Sequence, residues 1–388
     1  MQIRKTVVAV AVATVAATGV GATAGTAAAA PAPHSAVATY IVTLQQGTAP
    51  GPAAERATRL GGHVRHVYSA ALTGYAVALP PQAAERLASL PGVVSVEPDA
   101  PVQLAATQGS ATWGLDRLDQ RALPLNGSYS YTATGAGVTA YVIDTGIRLD
   151  HADFGGRAVS GYDAVDGGSA DDCNGHGTHV AGTVGGATHG VAKGVSLVAV
   201  RVLDCAGSGS NSGVIAGIDW VTAQHQAGQP AVANMSLGGG ASTALDSAVQ
   251  RSIADGVTYA VAAGNGNSAG TPQDACKSSP ARVTAALTVG ATDRTDKPAS
   301  FSNYGSCVDL FAPGVGITSD WYTGTTATNT ISGTSMATPH VAGVAALYLQ
   351  GAPTSTPAAV ATAVLGATTK DAVPTNRTAN NDLLFSSY

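Results

Sequence analysis

An uncharged apolar segment near the carboxyl end of the chain sets the strongest constraint on the fold. Residues 341–349 are mostly Ala, Val and Leu and carry no charge. A helix that is apolar on every side is normally buried, so this segment predicts a core helix. Pro339 lies just before it and fits the first turn of a helix, where its missing N–H costs nothing. We therefore expect the helix to begin near Ser335.

Ser335 follows Gly333 and Thr334, which permit a tight entry turn into that helix. Backbone N–H groups and the helix dipole favour negative charge at a helix N-terminus. A serine there can attack a carbonyl carbon while the developing oxyanion is stabilised. A lone serine at such a position, however, is most often only a helix cap. The catalytic interpretation therefore depends on residues elsewhere in the chain.

Apolar strands alternate with helical segments through the second half of the chain. Strands are expected at residues 138–143, 197–202, 232–235, 257–263, 287–289 and 308–311, and helices at 176–185, 214–225 and 243–255. This alternation predicts an α/β fold, in which a parallel sheet is covered by helices on both faces. Asp144 and Asn265 each follow a strand end, where open α/β sheets place their functional sites.

The first 30 residues have the composition of a secretory signal. Arg4 and Lys5 are basic, residues 7–20 are apolar, and residues 27–30 are small enough for cleavage. A membrane anchor is the alternative, but the apolar segment is short for one. We therefore expect a secreted, extracellular protein that is not embedded in a membrane.

A small α+β unit is predicted between the signal and the large domain. Strands are expected at 38–44, 64–68, 75–79 and 93–96, and helices at 53–60 and 81–90. This β-α-β-β-α-β order is typical of a ferredoxin-like unit. Its position favours a removable prosegment over a free-standing binding domain. The expected organisation is a signal at 1–30, a prosegment at 31–105 and a catalytic domain at 106–388.

The net charge of the chain bears on its possible partners. The chain of 388 residues has a net charge of −5 and 11% charged residues, so nothing indicates a nucleic-acid partner.

Export permits disulfides, and four cysteines allow three pairings. A metal site is the alternative, but no CxxC spacing supports it. The four are Cys173, Cys205, Cys276 and Cys307.

Three short segments together supply the groups of a nucleophilic triad. Ser335 needs a base to take its proton, an imidazole can do so near neutral pH, and a carboxylate fixes the imidazole tautomer. Asp144 and His176 supply the last two. His176 and His179 could instead bind a metal on one helix face, but no third ligand has helical spacing nearby. We choose His176 as the base because Gly175 and Gly177 permit close backbone approach, whereas His179 is expected to pack or hydrogen-bond.

The order Asp, His, Ser resembles the subtilases rather than the α/β-hydrolases, whose serine comes first within Gly-x-Ser-x-Gly. Here residue 337 is Ala. Segments 113–120, 234–239, 262–265 and 300–307 resemble the aqualysin-like members of the proteinase K branch. The resemblance covers nearly all of residues 106–388, and the upstream unit resembles the inhibitor prosegment of subtilases.

The resemblance implies a subtilisin-like fold and a secreted serine endopeptidase of broad specificity, made as a zymogen and acting through an acyl-enzyme. It assigns Asn265 to the oxyanion hole, beside the Ser335 N–H. It favours the pairs Cys173–Cys205 and Cys276–Cys307. The prosegment is expected to act as an intramolecular inhibitor and folding aid, removed by a cut between Ala105 and Ala106. A monomer with polypeptide substrates is expected.

The same resemblance locates the contacts with substrate. Two segments are expected to hold an extended peptide by strand addition: Gly207, Ser208 and Gly209, and Ser236, Leu237 and Gly238. A wall of the first specificity pocket is expected at Ala262, Ala263 and Gly264. The small size of these residues leaves room for an apolar or aromatic residue before the scissile bond.

Structural calcium is the one cofactor that the resemblance implies, and no organic cofactor is expected. Asp309 matches a calcium-binding carboxylate of the proteinase K branch, with carbonyls near Thr284 and Ala286 as partners. Asp171 and Asp172 could bind another ion, but they are expected to lie in a solvated loop. Two other functions remain open: a catalytically inactive binding or inhibitor protein on this fold, which the complete triad disfavours, and an exported esterase, which the motif order disfavours.

Overall fold

The computed structural model describes residues 37–99 and 106–388. The chain divides into two compact units, residues 1–102 and 103–388. The predicted signal at 1–30 lies outside the described residues, as does Ala105 of the predicted cleavage site.

The first unit contains six elements, in the order that the sequence predicts. They form a four-stranded antiparallel sheet, β2-β3-β1-β4, whose central strand β3 is buried throughout. The core of this unit lies between the sheet and both helices and includes Val42, Ala57, Val77 and Leu87. The elements are β1 (Ala38–Leu44), α1 (Pro50–Arg59), β2 (His63–Tyr68), β3 (Gly74–Leu79), α2 (Pro81–Ala88) and β4 (Val93–Pro98).

The second unit is a larger α/β domain. Its helices are α3 (Trp113–Leu118), α4 (His176–Gly185), α5 (Asn211–Gln224), α6 (Thr243–Asp255), α7 (Thr334–Gly351) and α8 (Pro357–Ala367). Its strands are β5 (Ala106–Gly109), β6 (Ser128–Tyr131), β7 (Thr139–Asp144), β8 (Ala158–Asp163), β9 (Ser196–Arg201), β10 (Ala231–Met235), β11 (Gly239–Gly240), β12 (Thr258–Ala262), β13 (Ser278–Ser279), β14 (Leu287–Thr292), β15 (Leu310–Pro313), β16 (Ile317–Asp320) and β17 (Thr328–Ile331).

Seven of these strands form one parallel sheet in the order β15-β14-β12-β10-β7-β9-β8. Side chains along β7 alternate between its two faces. Ala140 and Val142 pack in the core that contains α4 and α7, whereas Tyr141 and Ile143 pack in the core that contains α5 and α6. The predicted α/β fold with helices on both faces is therefore confirmed.

The core helix α7 is buried along most of its length, as its uncharged sequence predicts. The expectation that Pro339 occupies its first turn is wrong. The helix begins at Thr334, so Pro339 lies in the second turn and leaves the carbonyl oxygen of Ser335 without its helical N–H donor. The hydroxyl of Ser236 donates to that oxygen at 2.7 Å and supplies the missing hydrogen bond.

Strand β8 is one of several peripheral elements that the sequence did not predict. Strand β8 has a register shift between Ser160 and Tyr162, and a β-carbon on Gly161 would lie 2.6 Å from Val198 and 2.7 Å from Trp220. The glycine is therefore required by close packing, although it makes the segment resemble a loop in sequence.

No helix in the described parts of the chain is both long and apolar enough to span a membrane.

Candidate active site

Asp144 and His176 meet at the carboxyl edge of the parallel sheet. Asp144 is the last residue of β7 and is fully buried, and His176 is the first residue of α4. His176 Nδ1 lies 2.8 Å from Asp144 Oδ1, which also accepts the Thr145 N–H at 2.7 Å. The carboxylate therefore holds the proton on Nδ1 and leaves Nε2 of the neutral ring as a proton acceptor.

The electrostatic environment of His176 favours its charged form. Burial by itself would lower the pKa of His176, but the charge and hydrogen bond of Asp144 raise it, and Asp172 adds to that effect. The net result is a pKa above the ordinary histidine value of 6.5. The site therefore stabilises the charged imidazolium form of His176.

Asp172 organises the loop that precedes His176. Its Oδ1 accepts the N–H groups of Asn174 and Gly175, each at 2.9 Å, and its Oδ2 accepts the Thr178 N–H at 2.9 Å. The expectation of a solvated loop is wrong for Asp172, which is half-buried, whereas Asp171 is exposed as expected. The signal in the sequence is an acidic residue shortly before a helix, which typically satisfies its first N–H groups.

Glycine is required on both sides of His176. A β-carbon on Gly177 would lie 2.1 Å from the Gly146 carbonyl oxygen and 3.2 Å from Asp144 Oδ1. Gly175 has φ of 110°, and its β-carbon would lie 2.5 Å from the Trp321 ring. The predicted close backbone approach at His176 is therefore present.

His179 lies in the interior, as expected. It is fully buried, and its Nε2 donates to the carbonyl oxygen of Ile317 at 2.9 Å. Burial lowers the pKa of His179 to about 3, so the ring stays neutral. Its role in this arrangement is to connect α4 to β16.

Asn265 is fixed by Thr334, a residue that sequence reasoning did not assign to the site. Asn265 Oδ1 accepts the N–H of Thr334 at 2.8 Å and its hydroxyl at 2.9 Å. A β-carbon on Gly333 would lie 3.3 Å from Asn265 Nδ2 and 3.5 Å from the Ser335 nitrogen. The side-chain amide and the Ser335 N–H therefore border the same space, and a side chain at position 333 would crowd it.

Two adjoining clefts contain all nine predicted substrate residues. The first, of about 560 Å³, is lined by His176 together with Gly207, Ser208, Gly209, Ser236, Leu237 and Gly238. The second, of about 400 Å³, is lined by Asn265 and Ser335 together with Ser236, Leu237, Gly238, Ala262, Ala263 and Gly264. Asn303 also lines the second cleft and donates to the Ala263 carbonyl oxygen at 2.8 Å. Asn303 therefore braces a wall that the sequence alone did not connect with it.

Both predicted disulfides are present. Cys173 is bonded to Cys205 with an S–S distance of 2.02 Å, and Cys276 to Cys307 with one of 2.12 Å. The first pair joins the loop before His176 to the segment before Gly207 and so connects His176 to one side of the first cleft.

The carboxylate of Asp309 has the chemistry of a calcium ligand. It is half-buried, and its Oδ2 accepts the Thr288 N–H at 2.8 Å. Burial raises the pKa of Asp309 to about 6. A bound cation would offset this loss of hydration, and backbone carbonyls such as those of Thr284 and Ala286 are suitable oxygen donors for calcium.

Comparison with known proteins identifies two family regions. The family described as Subtilase family matches residues 135–384, and that described as Peptidase inhibitor I9 matches residues 39–105. The extracellular serine proteinase of Thermus sp. (strain Rt41A) is 64% identical over 330 residues, which are 84% of this chain and 79% of that protein. The alkaline serine exoprotease A of Vibrio alginolyticus is 52% identical over 366 residues, which are 89% of this chain and 67% of that protein.

The fold has a close counterpart among solved structures. A crystal structure of a cold-adapted subtilisin-like serine proteinase shares 56% sequence identity, with a TM-score of 0.69, and the match covers 72% of this chain and 100% of that one. The family match extends over more than half of the chain and includes the segments of Asp144, His176 and Ser335. The chain therefore belongs to the subtilase family, and it is a serine endopeptidase.

Proposed function

We propose that this protein is a secreted endopeptidase that cleaves peptide bonds through a covalent acyl-enzyme on Ser335. The observation that carries the proposal is the 2.8 Å contact between buried Asp144 and His176, at the same cleft system that contains Ser335. His176 is the proposed base, Asp144 orients it, and Asn265 with the Ser335 N–H forms the oxyanion hole.

The chemistry proceeds in two halves. Ser335 Oγ forms a bond to the carbonyl carbon while its proton passes to His176 Nε2 and the carbonyl electron pair moves onto the oxygen. When the carbon–nitrogen bond breaks, His176 gives that proton to the leaving amine. Water then attacks the acyl-enzyme with His176 again as base, which releases the acid and restores Ser335.

A rotation of the Ser335 side chain precedes the first half. In the structure its hydroxyl donates to the Ser236 carbonyl oxygen at 3.1 Å. That carbonyl belongs to the segment proposed to pair with the substrate backbone. Catalytic hydrogen bonds commonly tighten only when substrate is bound, so we infer that peptide binding at Ser236 redirects Ser335 Oγ to His176.

Substrate selection is proposed to depend mainly on backbone pairing. The segments 207–209 and 236–238 border the first cleft, and their glycines allow a peptide backbone to approach closely. Ala262 and Ala263 are buried and present only methyl groups at the second cleft. This small apolar wall supports a preference for apolar or aromatic residues before the scissile bond, with broad specificity elsewhere.

The proposed maturation of the protein removes two upstream segments in turn. Residues 1–30 are removed on export, and residues 31–105 act as an intramolecular inhibitor until the bond between Ala105 and Ala106 is cut. The match of residues 39–105 to an inhibitor family supports this order of events. The mature enzyme is proposed to be a monomer with structural calcium at Asp309.

A covalent probe tests the assignment of the nucleophile. A fluorophosphonate should label the active protein at Ser335 and should fail to label Ser335→Ala. Ser332→Ala is the matched control, because it removes a hydroxyl three residues away, in the segment just before α7, and it should label normally. A correctly folded parent protein that takes up no label would instead support the inactive binding protein.

A further inference from the structure

Three side chains outside the active site converge on one point of the catalytic unit. Asp153 lies in the turn 152–154, His189 follows α4, and Asp320 ends β16. His189 Nδ1 lies 2.9 Å from Asp320 Oδ1 and 3.5 Å from Asp153 Oδ2. Within residues 37–99 and 106–388, this is the one group of three or more His, Cys, Asp or Glu side chains whose ligand atoms all fall within 4.8 Å of one another.

An unsatisfied carboxylate oxygen points into this cluster. Asp320 is fully buried, and its Oδ2 has no hydrogen-bond partner in the described part of the protein. A β-carbon on Gly186 would lie 2.3 Å from Asp153 Oδ2 and 3.1 Å from Asp320 Oδ2, so both oxygens face the same space beside this glycine. Burying an unpaired carboxylate oxygen is costly, which indicates that a ligand normally satisfies it.

Few hydrogen-bond donors from neighbouring side chains reach the carboxylates of Asp153 and Asp320. His151 Nε2 donates to the Ala327 carbonyl oxygen at 2.9 Å, so its Nδ1 carries a lone pair. This atom accepts the Asp153 N–H at 3.3 Å and lies 3.7 Å from Asp320 Oδ1. The donors of Arg157 are directed to the carbonyl oxygens of Asp153, Gly185 and Val195 rather than to a carboxylate. The Nδ1 proton of His189 therefore faces two carboxylates.

The cluster is already organised for binding. The backbone N–H groups of Thr188 and His189 donate to the carboxylate of Asp153 at 2.9 to 3.2 Å, which fixes its orientation. A cavity of about 300 Å³ lies against the three side chains and His151. The side chains of Asp153 and His189 are 11% and 13% exposed, so an ion can reach them from solvent.

We propose that Asp153, His189 and Asp320 form a structural site for a divalent transition metal, with zinc as the best match. An imidazole nitrogen with two carboxylates suits zinc, whereas calcium takes oxygen ligands. Ligands of a tetrahedral zinc ion at about 2.0–2.1 Å lie about 3.3 Å apart, and the two nitrogen–oxygen separations lie on either side of this value.

Binding is an exchange of a proton for the metal. The ion forms a bond to His189 Nδ1, whose proton leaves to solvent, and the two carboxylates neutralise the double positive charge. Water occupies the fourth position. The ion would connect three segments that are distant in sequence: the turn 152–154, the segment after α4 and strand β16.

Zinc titration of the untagged full chain carrying Ser335→Ala tests the site, because this variant cannot digest itself. Isothermal titration after removal of metals should give one tight Zn²⁺ site per chain. His189→Gln and Asp320→Asn should each weaken it by at least about tenfold. His225→Gln is the matched control, since His225 Nδ1 contacts a single carboxylate, Asp255, at 2.7 Å, and it should bind zinc as tightly as the parent.

A second measurement does not depend on how the variants fold. Co²⁺ added to the parent chain should give the intense visible absorption of a tetrahedral site, and Zn²⁺ should displace it. Absence of a tight site, a weak octahedral cobalt spectrum, or calcium competing equally with zinc would overturn the proposal. If folded His189→Gln still binds zinc tightly and His176→Gln does not, the ion lies at the triad. That result would also overturn the proposal.

Discussion

Ser236 and Ser335 are joined by reciprocal hydrogen bonds. The Ser236 hydroxyl donates to the Ser335 carbonyl oxygen at 2.7 Å, and the Ser335 hydroxyl donates to the Ser236 carbonyl oxygen at 3.1 Å. Asn234 Nδ2 donates to Ser236 Oγ at 2.9 Å and so orients its proton toward Ser335. Because Pro339 provides no N–H to the Ser335 carbonyl, the first turn of α7 depends on Ser236 for this bond.

Ser236→Ala tests this dependence. The variant should fold but lose about 1–3 kcal/mol of stability, since it leaves the Ser335 carbonyl unsatisfied. It should also lower kcat by about tenfold with little change in KM, because the nucleophile is less well positioned. Ser169→Ala, at an exposed position outside both clefts, is the control for both measurements. Parent-like stability and kcat in Ser236→Ala would remove this role.

Asn265→Ala tests the oxyanion assignment. We expect kcat to fall by about 10²–10³-fold with little change in KM, the size typical when such a donor is removed, for which subtilisin is the reference case. Thr334→Val separates donation from positioning, since it keeps the amide of Asn265 but removes one of the two bonds that hold it. It should give a smaller loss. A turnover near that of the parent in Asn265→Ala would exclude the role.

The acid limb of the pH profile reports on His176. Burial opposes its charge, but Asp144 and Asp172 raise the pKa of His176 above 6.5. The base works only when neutral, so activity should be full above this raised pKa and lost as pH falls through it. Measurement of kcat/KM between about pH 5 and about pH 9 locates the limb. A limb at or below pH 6.5 would contradict this account of the site.

Sequence reasoning located the groups whose positions follow from the sheet. Asp144 and Asn265 follow apolar strands, and parallel strands bring such ends to one edge. Contacts between distant segments were not predictable in this way. Asp153, His189 and Asp320 have no local spacing that relates them, and Asn303 reaches the cleft wall only through folding. The expectation for Pro339 failed because a tertiary donor, the Ser236 hydroxyl, compensates for a proline that local propensity places in the first turn.

Removal of calcium tests Asp309. Chelation should lower the melting temperature by several degrees, and Asp309→Asn should lower it similarly without responding further to chelator. Asp150→Asn, which alters an exposed carboxylate, should still respond. In chelated protein, burial raises the pKa of Asp309 to about 6, so the folded state favours the neutral carboxyl. The contribution of this group to the free energy of unfolding is therefore fully present below pH 3.8 and is lost as pH rises through about 6. Equal chelator sensitivity in Asp309→Asn and parent would place the ion elsewhere.

Self-processing between Ala105 and Ala106 is the remaining prediction. Residues 102–105, Val-Gln-Leu-Ala, contain no Gly or Pro and can bind extended as an added strand, with Ala105 small enough for the first pocket. On the other side of the bond, Ala106 opens β5 and pairs with Tyr131 of β6, so the new N-terminus would belong to a strand of the catalytic unit.

N-terminal sequencing decides whether the active site makes this cut. The active protein should yield Ala106 as its first residue, whereas Ser335→Ala, purified from cells without other proteases, should remain joined across the bond. Ser332→Ala should process like the parent, because it keeps the nucleophile and changes only a neighbouring hydroxyl that accepts the Gly316 N–H. If the Ser335→Ala chain is cut at the same bond, another protease performs the maturation, and the prosegment is not removed by the site that it inhibits.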